Sequence, residues 1–414
     1  MIKILIIADD FTGALDTGVK LAAFGARTKV LTDTELNITA ETDADVLVLC
    51  APTRHVSPEE AYRVIRRITE QAVRAGVECI FKKTDSALRG NVGAELSAVL
   101  DGSGEKTLCF LPALPDMNRI TRGGTQYIDG LPVHESVFGR DPFDPVTESY
   151  IPDLLHLQCD TPVRVVGQQE TLCEEGEEPC IHVFDAASCA DMDRHVAALC
   201  KAGRIHLLAG CAGLAKILPK HLGFQGGSEC PEIACERLTV VCGSVNPISR
   251  RQMDYAEQNG CHRFHLPAWF LLEENSLCSR EGAELMDELW AEYGESSCLM
   301  LDTIQSDGNW IPEGHGGLSM ESMRQMISRR LGAVLKGLLE RGADGAIMII
   351  GGDTLLEFME ALQIRELVPV WEPEAGVVLS EISYHGNTYR ILSKSGGFGA
   401  EDLIISLQGS AVTP

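Results

Sequence analysis

The sequence predicts an α/β protein of two domains, each built on a mainly parallel sheet flanked by helices. Three observations carry that prediction. Short β-branched runs alternate with helical patterns along the chain, the arrangement that gives parallel strands joined by crossover helices. At 414 residues the chain exceeds one ordinary core, and a hydrophobic content of 45% suffices for two. The alternation lapses over residues 223–236, "GFQGGSECPEIACE", where Gly, Ser and Pro occur without a period. The expected domains are therefore 1–225 and 237–414.

In the first domain the apolar runs at 3–8, 45–51, 78–84 and 106–113 read as strands with helices between them, and runs at 162–167, 179–185 and 205–210 extend the sheet. The clearest helix is "SPEEAYRVIRRITEQAVRAG". There Ser57 suits the N-cap, Pro58 the first helical position, two glutamates the first turn and Gly76 the end. After the first strand a helix follows, with Thr12 as its expected cap. "QYIDGLPV" reads as a hairpin, because Asp129-Gly130 fits a type I′ turn. The second domain predicts strands at 238–242, 298–304, 345–350 and 389–393. Helices are expected from Pro247, over 319–341, from Thr354 and at the C-terminus. Met320, Met323, Ile327, Leu331, Val334 and Leu338 recur at helical spacing and read as a core stripe. His182 and His206, inside apparent strands, read as hydrogen-bonded core residues.

Sixty acidic against 35 basic residues give a formal charge of −25, which repels nucleic acid and anionic membranes. No apolar run approaches the roughly 18 residues a membrane span needs, and "MIKILIIADD" reads as a strand instead of a signal peptide. None of the 15 cysteines stands in C-x-x-C spacing, and most lie in apolar runs, so they read as core residues suited to a reducing cytoplasm.

Against that acidic background, "FKKTDSALRG" gathers Lys82, Lys83, Asp85 and Arg89 behind an apolar run. Alternate residues of a strand face opposite sides, so Lys83 shares a face with Phe81, and Lys82 with Ile80 and Thr84. A buried strand does not hold unpaired lysines, which places them at its carboxyl end. The first strand likewise ends in Asp9 and Asp10, and the strand at 45–51 leads to Arg54 and His55. Such a set suits a small anionic, hydroxylated substrate: cations hold its carboxylate and an aspartate accepts a hydroxyl proton. A structural ion-pair network, or an N-cap role for either aspartate, is the alternative reading.

Three turns of the second domain share one layout of strand, glycine-rich loop and helix. They contain Gly243-Ser244; Gly351, Gly352, Asp353 and Thr354; and Lys394, Ser395, Gly396, Gly397 and Gly399 before a helix expected to begin with two acids. Helix N-termini present unpaired N–H groups and glycine admits a bulky anion, so each turn is a candidate phosphate cradle. Tight βα turns also use glycine for purely steric reasons. No Walker A loop and no G-x-G-x-x-G after a strand occurs.

The stretches "IADDFTGALDTG", "KKTDSALRGNVGAEL", "FLPALPDMNRITRGG", "GRDPFDPV", "CGSVNPISRRQ", "GGDT" and "SKSGGFG", in that order, make the chain resemble the four-carbon acid sugar kinase family almost end to end. The resemblance implies a sugar-acid-binding N-terminal domain, a nucleotide-binding C-terminal domain and an active site in the cleft between them. The reaction it implies is ATP-dependent phosphorylation of the terminal hydroxyl of threonate, erythronate or 3-oxo-tetronate, with Mg²⁺ accompanying ATP. Carried over, it assigns Asp9 or Asp10, Arg54, Lys82, Lys83, Thr84, Asp85 and Arg89 to the sugar acid. To the nucleotide it assigns Ser244, Gly351 to Thr354, Gly396, Gly397 and Gly399, with Lys394 beside them.

The "KTDS-LRG" form is more similar to the threonate and erythronate branch, while Ala87 and Asn118-Arg119 depart from the usual pattern. In this reading Asp10 takes the hydroxyl proton, with Asp9 as the fallback, Lys83 and the arginines fix the carboxylate, and Asp353 is a candidate metal contact. A homo-oligomer is compatible with the sequence. The rivals are an aspartyl-phosphate phosphohydrolase, which lacks its second aspartate because Phe11 and Thr12 fill those places, and a non-catalytic sugar-acid-binding protein.

Overall fold

The computed structural model describes residues 2–34, 38, 43–141, 144–172, 178–226, 237–304, 311 and 317–410. The chain divides into two compact units, Met1–Ser228 and Glu229–Pro414. Most of the unpatterned stretch at 223–236 lies outside the described residues.

The first unit opens with β1 (Ile4–Ala8), α1 (Phe11–Ala22), β2 (Thr28–Leu31), β3 (Val46–Cys50), α2 (Pro58–Arg74), β4 (Cys79–Lys83), α3 (Val92–Ser103) and β5 (Thr107–Leu111). A small antiparallel sheet follows, β6 (Arg119–Arg122), β7 (Thr125–Ile128) and β8 (Leu131–Pro132), with φ of 50° at Asp129 and 82° at Gly130 as a type I′ turn requires. Next come α4 (Ile151–His156), β9 (Val163–Val166), β10 (Cys180–Phe184), α5 (Cys189–Lys201), β11 (Leu207–Gly210) and α6 (Ala212–His221). The main strands run parallel in the order β2-β3-β1-β4-β11-β5-β10-β9. All of β1 and β3 is buried, as befits strands covered on both faces.

The second unit contains β12 (Leu238–Cys242), α7 (Pro247–Gln258), β13 (His262–His265), α8 (Ala268–Leu272), α9 (Arg280–Glu295), β14 (Cys298–Asp302), α10 (Met320–Glu340), β15 (Ala346–Ile350) and α11 (Gly352–Leu362). It ends with β16 (Glu366–Glu374), β17 (Val377–Tyr384), β18 (Asn387–Lys394) and α12 (Leu403–Ser410). Its strands run β13-β14-β12-β15-β18-β17-β16, parallel from β13 to β18 and antiparallel from β18 to β16. Both units therefore begin alike, with strand order second, third, first, fourth. The chain leaves the first strand for one side and crosses to the other after the third, which makes the carboxyl ends of the first, third and fourth strands a topological switch point.

Several expectations need correction. The α1 cap is Asp10, whose Oδ1 accepts from Gly13 N at 3.2 Å, and Thr12 instead donates its hydroxyl to Asp10. The strands β2, β13, β16 and β17 and the helices α8 and α9 were not expected. β13 is short and polar, and β16 carries Pro369 and Pro373, residues that argue against a paired strand. α11 starts at Gly352, two residues before Thr354, and α12 at Leu403, after Glu401 and Asp402. Of the methionine-led stripe on α10, Met323, Leu331, Val334 and Leu338 are buried but Met320 is 40% exposed and Ile327 only half-buried. His206 is exposed, its Nδ1 bonded to Glu78 O at 2.9 Å, and the half-buried His182 leaves Nδ1 without a partner. No described helix is long and apolar enough to cross a membrane.

Candidate functional site

In the first unit Ala8 lies in register with Cys50 on one side and Lys83 on the other, so the residues after β1, β3 and β4 emerge at one edge. Arg54 is the hub there. Its Nε donates to Asp9 Oδ2 at 2.7 Å, and its Nη2 lies 3.0 Å from Asp10 Oδ1 and 3.8 Å from Asp85 Oδ1. Burial opposes the Arg54 charge, but the carboxylates of Asp10, Asp9 and Asp85 outweigh it and raise its pKa well above the ordinary value. Asp9 is likewise penalised by burial, and Arg54, Lys82 and Lys83 reverse the balance and lower its pKa.

The two aspartates differ in access. The Asp9 side chain is 3% exposed and its Oδ1 has no hydrogen-bond partner, whereas Asp10 keeps 26% exposure while holding the α1 N-terminus and the Thr12 hydroxyl, 2.6 Å from its Oδ2. A ligand can reach Asp10. Asp9 seats Arg54 through its Oδ2.

The two lysines of β4 point to opposite faces, as strand alternation requires. Lys82 is 0% exposed, with its Nζ 3.0 Å from Glu95 Oε2 and donating to Lys83 O at 2.7 Å. Glu95 on α3 also accepts from Thr53 Oγ1, and burial raises its pKa despite Lys82. Lys82 thus closes a buried pair and offers no donor at the surface. Lys83 turns towards α1: a Cβ on Gly13 would fall 2.7 Å from its Nζ and would collide with Asp10 Oδ1. Glycine at 13 is what lets the ammonium and the carboxylate share that space. Burial opposes the Lys83 charge, and Asp10 and Asp9 overcome it, so its pKa is raised. Its Nζ donates to Thr84 O at 2.9 Å and pairs with no carboxylate within 4 Å among the described residues.

Asp85 is saturated. Its oxygens take Arg89 Nε and Nη2, both at 3.0 Å, and the amides of Ala87 at 3.1 Å and Arg89 at 3.3 Å. Burial would raise its pKa, yet Arg89 and Arg54 hold it far below the carboxylate range. The fork of Arg89 is therefore committed to protein, with Asp141 a further 3.4 Å contact. Thr84 is buried and its hydroxyl donates to Gly210 O at 3.3 Å. His55, at the mouth of β3 in the sequence reading, is exposed.

In the second unit Cys242, Ile350 and Lys394 are in register at the ends of β12, β15 and β18, which sets the three glycine turns side by side. They touch. A Cβ on Gly243 would collide with Thr354 Oγ1, and one on Gly396 with Ser244 Oγ. Gly351, at φ 121° and ψ 125°, opens α11 with no side-chain cap, so the first amides of that helix keep free donors. The N-terminus of α7 is partly satisfied, since Asn246 Oδ1 accepts from Ile248 N at 2.9 Å. Gln252 donates to Phe398 O at 3.0 Å and Ala400 O at 2.7 Å, and Ser249 to Gly396 O at 2.8 Å, so α7 pins the third turn.

Lys394 is 1% exposed and its Nζ donates to Ser395 O at 3.0 Å and Gly396 O at 3.2 Å, with no carboxylate partner among the described residues. Burial pulls its pKa down to about 8. Asp353 is a surface residue, 64% exposed and 3.6 Å from Arg324. Among the described residues no group of three His, Cys, Asp or Glu side chains could hold a metal ion.

The sequence reading missed Glu95, Thr53 and Gln252. Val92 to Leu100 is buried throughout, so the α3 pattern has no polar face to mark Glu95 as unusual. Only its position among apolar neighbours signalled a buried acid in need of a cation.

Comparison with known proteins matches these two units separately and together. A sugar-binding N-terminal domain model covers residues 4–218, and a nucleotide-binding C-terminal domain model covers 239–404. The chain is similar to a D-threonate kinase of Salmonella typhimurium, at 29% identity over 97% of this chain and 96% of that protein. It is similar to a D-threonate kinase of Bordetella bronchiseptica, at 30% over 97% and 95%. It is also similar to a D-erythronate kinase of Heliobacterium modesticaldum, at 28% over 87% and 86%. A crystal structure of a Salmonella typhimurium LT2 protein shares the fold, with a TM-score of 0.78 at 21% identity over 100% of this chain and 99% of that one. A sugar-binding domain spanning more than half of the chain, joined to a nucleotide-binding domain, together with end-to-end similarity to the Bordetella kinase, establishes that this chain belongs to the four-carbon acid sugar kinase family of ATP-dependent phosphotransferases.

Proposed function

We propose that this chain transfers the γ-phosphoryl group of ATP to the terminal hydroxyl of D-threonate or D-erythronate. The observation that carries the reading is the meeting of a reachable carboxylate, Asp10, with an ammonium free of any acid partner, Lys83, at the switch point of the first unit. Asp10 accepts the hydroxyl proton as the phosphorus–oxygen bond forms. Lys83 sits beside it and offsets negative charge on the transferring group, the kind of fixed electrostatic support on which phosphoryl transfer depends. Arg54 and Asp9 hold Asp10 in place, and Asp85 and Arg89 shape the loop between β4 and α3.

The nucleotide lies against the second unit. The uncapped amides of α11 and the backbone of the turns at Gly243, Gly351 and Gly396 accept the phosphates, and Lys394 adds a positive charge beneath them. Mg²⁺ comes with the triphosphate.

The test is ADP release across the enantiomers of threonate and erythronate and the 3-oxo-tetronates. Highest kcat/KM with D-threonate or D-erythronate, and a product carrying phosphate on carbon 4 by NMR, is the expected result. Preference for a 3-oxo-tetronate would move the substrate assignment. Hydrolysis of sugar phosphates without ATP would overturn the kinase reading.

A further inference from the structure

Arg54 and Arg89, the arginines first assigned to the substrate carboxylate, both spend their forks on protein acids. Another arginine does not. Arg119 opens β6, and its position is built with care. Leu114 N donates to Arg119 O at 2.7 Å and Arg119 N to Leu114 O at 3.2 Å, with Asn118 between them in the left-handed region at φ 52°. Its Nη1 donates to Ser86 Oγ, in the loop that carries Asp85 and Arg89. The buried Gln126 donates to Ser86 O at 3.2 Å, so the β6-β7 hairpin is fastened to that loop at two points. The guanidinium lies 5.1 Å from the Phe138 ring centroid, the same distance as that of Arg89.

The contrast is in charge. Arg89 is neutralised by Asp85, whereas Arg119 has no carboxylate within 4 Å among the described residues and is only partly buried. Both guanidiniums stand beside the Phe138 ring, and the protein supplies an acid partner to only one of them among the described residues. Lys83 likewise has no acid partner within 4 Å among the described residues, and Ser86, which Arg119 holds, follows it by three residues at the end of β4. We infer that Arg119 is the specificity-determining residue that grips the carboxylate of the acceptor, using the N–H groups that Ser86 leaves free. The inference rests on the sugar-acid kinase reading above, and it assigns the two ends of the acceptor: carboxylate to Arg119, reacting hydroxyl to Asp10 and Lys83.

The experiment compares wild type with Arg119→Met and Arg119→Lys on the preferred sugar acid and on the tetritol that lacks the carboxylate. Loss of a charged fork is expected to raise KM for the acid about 10- to 100-fold. kcat and KM for ATP should change little, and the preference for acid over tetritol should disappear. Arg119→Lys, which keeps charge without the fork, should recover part of the loss, and it carries the test alone if Arg119→Met does not fold. Unchanged KM and undiminished preference for the acid in the folded variants would overturn the inference while leaving the kinase reading intact. A wild type that phosphorylates no four-carbon sugar acid would instead remove the reading on which it rests.

Discussion

The two units start from the same strand order and put opposite chemistry on it. At the end of the first strand one unit has Asp9-Asp10 and the other Gly243-Ser244; at the end of the fourth, one has Lys83-Thr84-Asp85 and the other Gly351-Gly352. The topology selects the place and the residues select the ligand. In the proposed reading the first unit recognises with side-chain charge, held by a lattice of ion pairs around Arg54. In that reading the second recognises with backbone, and its buried Lys394 donates only to carbonyls among the described residues, whereas the buried Asp302 is paired with Arg263. Charge removal should therefore damage the first site, and added carbon the second.

The largest effect should come from Asp10→Asn, which keeps the α1 cap but loses the proton acceptor. We expect kcat to fall about 10²- to 10⁴-fold with the KM for ATP unchanged, as read by steady-state ADP release. Turnover within a few-fold of wild type would transfer the role away from Asp10.

Lys82→Met tests whether every cation of the first unit is there for the ligand. It strands Glu95 in the interior, and breaking a buried pair costs about 3–5 kcal/mol. Chemical denaturation should show that loss, and adding Glu95→Leu should recover much of it because no unpaired charge then remains. A stable Lys82→Met protein with a raised KM for the sugar acid would return Lys82 to the substrate.

Gly396→Ala is the corresponding probe of the second unit. The new Cβ meets Ser244 Oγ, and overpacking of about 1–3 kcal/mol corresponds to roughly 5- to 150-fold. The loss should appear in the KM for ATP and not in that for the acid, and Ser244→Gly in the same chain should relieve it. Gly397→Ala meets nothing closer than Asn246 Nδ2 at 3.6 Å and should be mild.

Lys394 gives the comparison a pH axis. Burial lowers its pKa from 10.5 to about 8, so between those values the unfolded chain holds a proton that the folded chain has released, and this group's contribution to stability rises with pH across that window. Nucleotide binding has the opposite sign. A triphosphate favours the protonated amine, so ATP affinity should fall about tenfold as pH rises from 7 to 9, with proton uptake on binding. Lys394→Met should flatten that limb in calorimetry; a persisting limb would place the titration elsewhere.

What could be read in advance follows the same division. The strand ends were legible because acids, lysines and glycines after apolar runs break the pattern in one dimension, and register then brings them together. Partner choice was not. Whether Lys82 faces a ligand or Glu95 depends on α3, whose mainly apolar sequence hides the acid. Whether Arg89 is free depends on Asp85, four residues away across a loop with Leu88 at φ 66°. The antiparallel end of the second sheet was missed because β16 contains two prolines, and its pairing with β17 shifts register between Pro369 and Trp371 and again between Trp371 and Glu374. Motifs mark where chemistry is placed, while charge pairing, a matter of contacts in three dimensions, decides which groups are left to perform it.

Asp353 closes the series as the smallest expected effect. It lies in the "GGDT" motif beside two glycines assigned to the phosphates, so motif reasoning alone makes it a metal contact. Its side chain instead stands 64% exposed with Arg324 at 3.6 Å, an arrangement in which a carboxylate is solvated and its ion pair contributes about 0–1 kcal/mol. If backbone amides do the work of this unit, Asp353→Asn should change kcat and the KM for ATP less than about twofold, because it removes a charge that no amide requires. The Mg²⁺ dependence of turnover is the sharper readout. A rise in the Mg²⁺ concentration for half-maximal rate would show that a side chain of the second unit holds the ion, and the contrast between a charged site and a backbone site would then need this one exception.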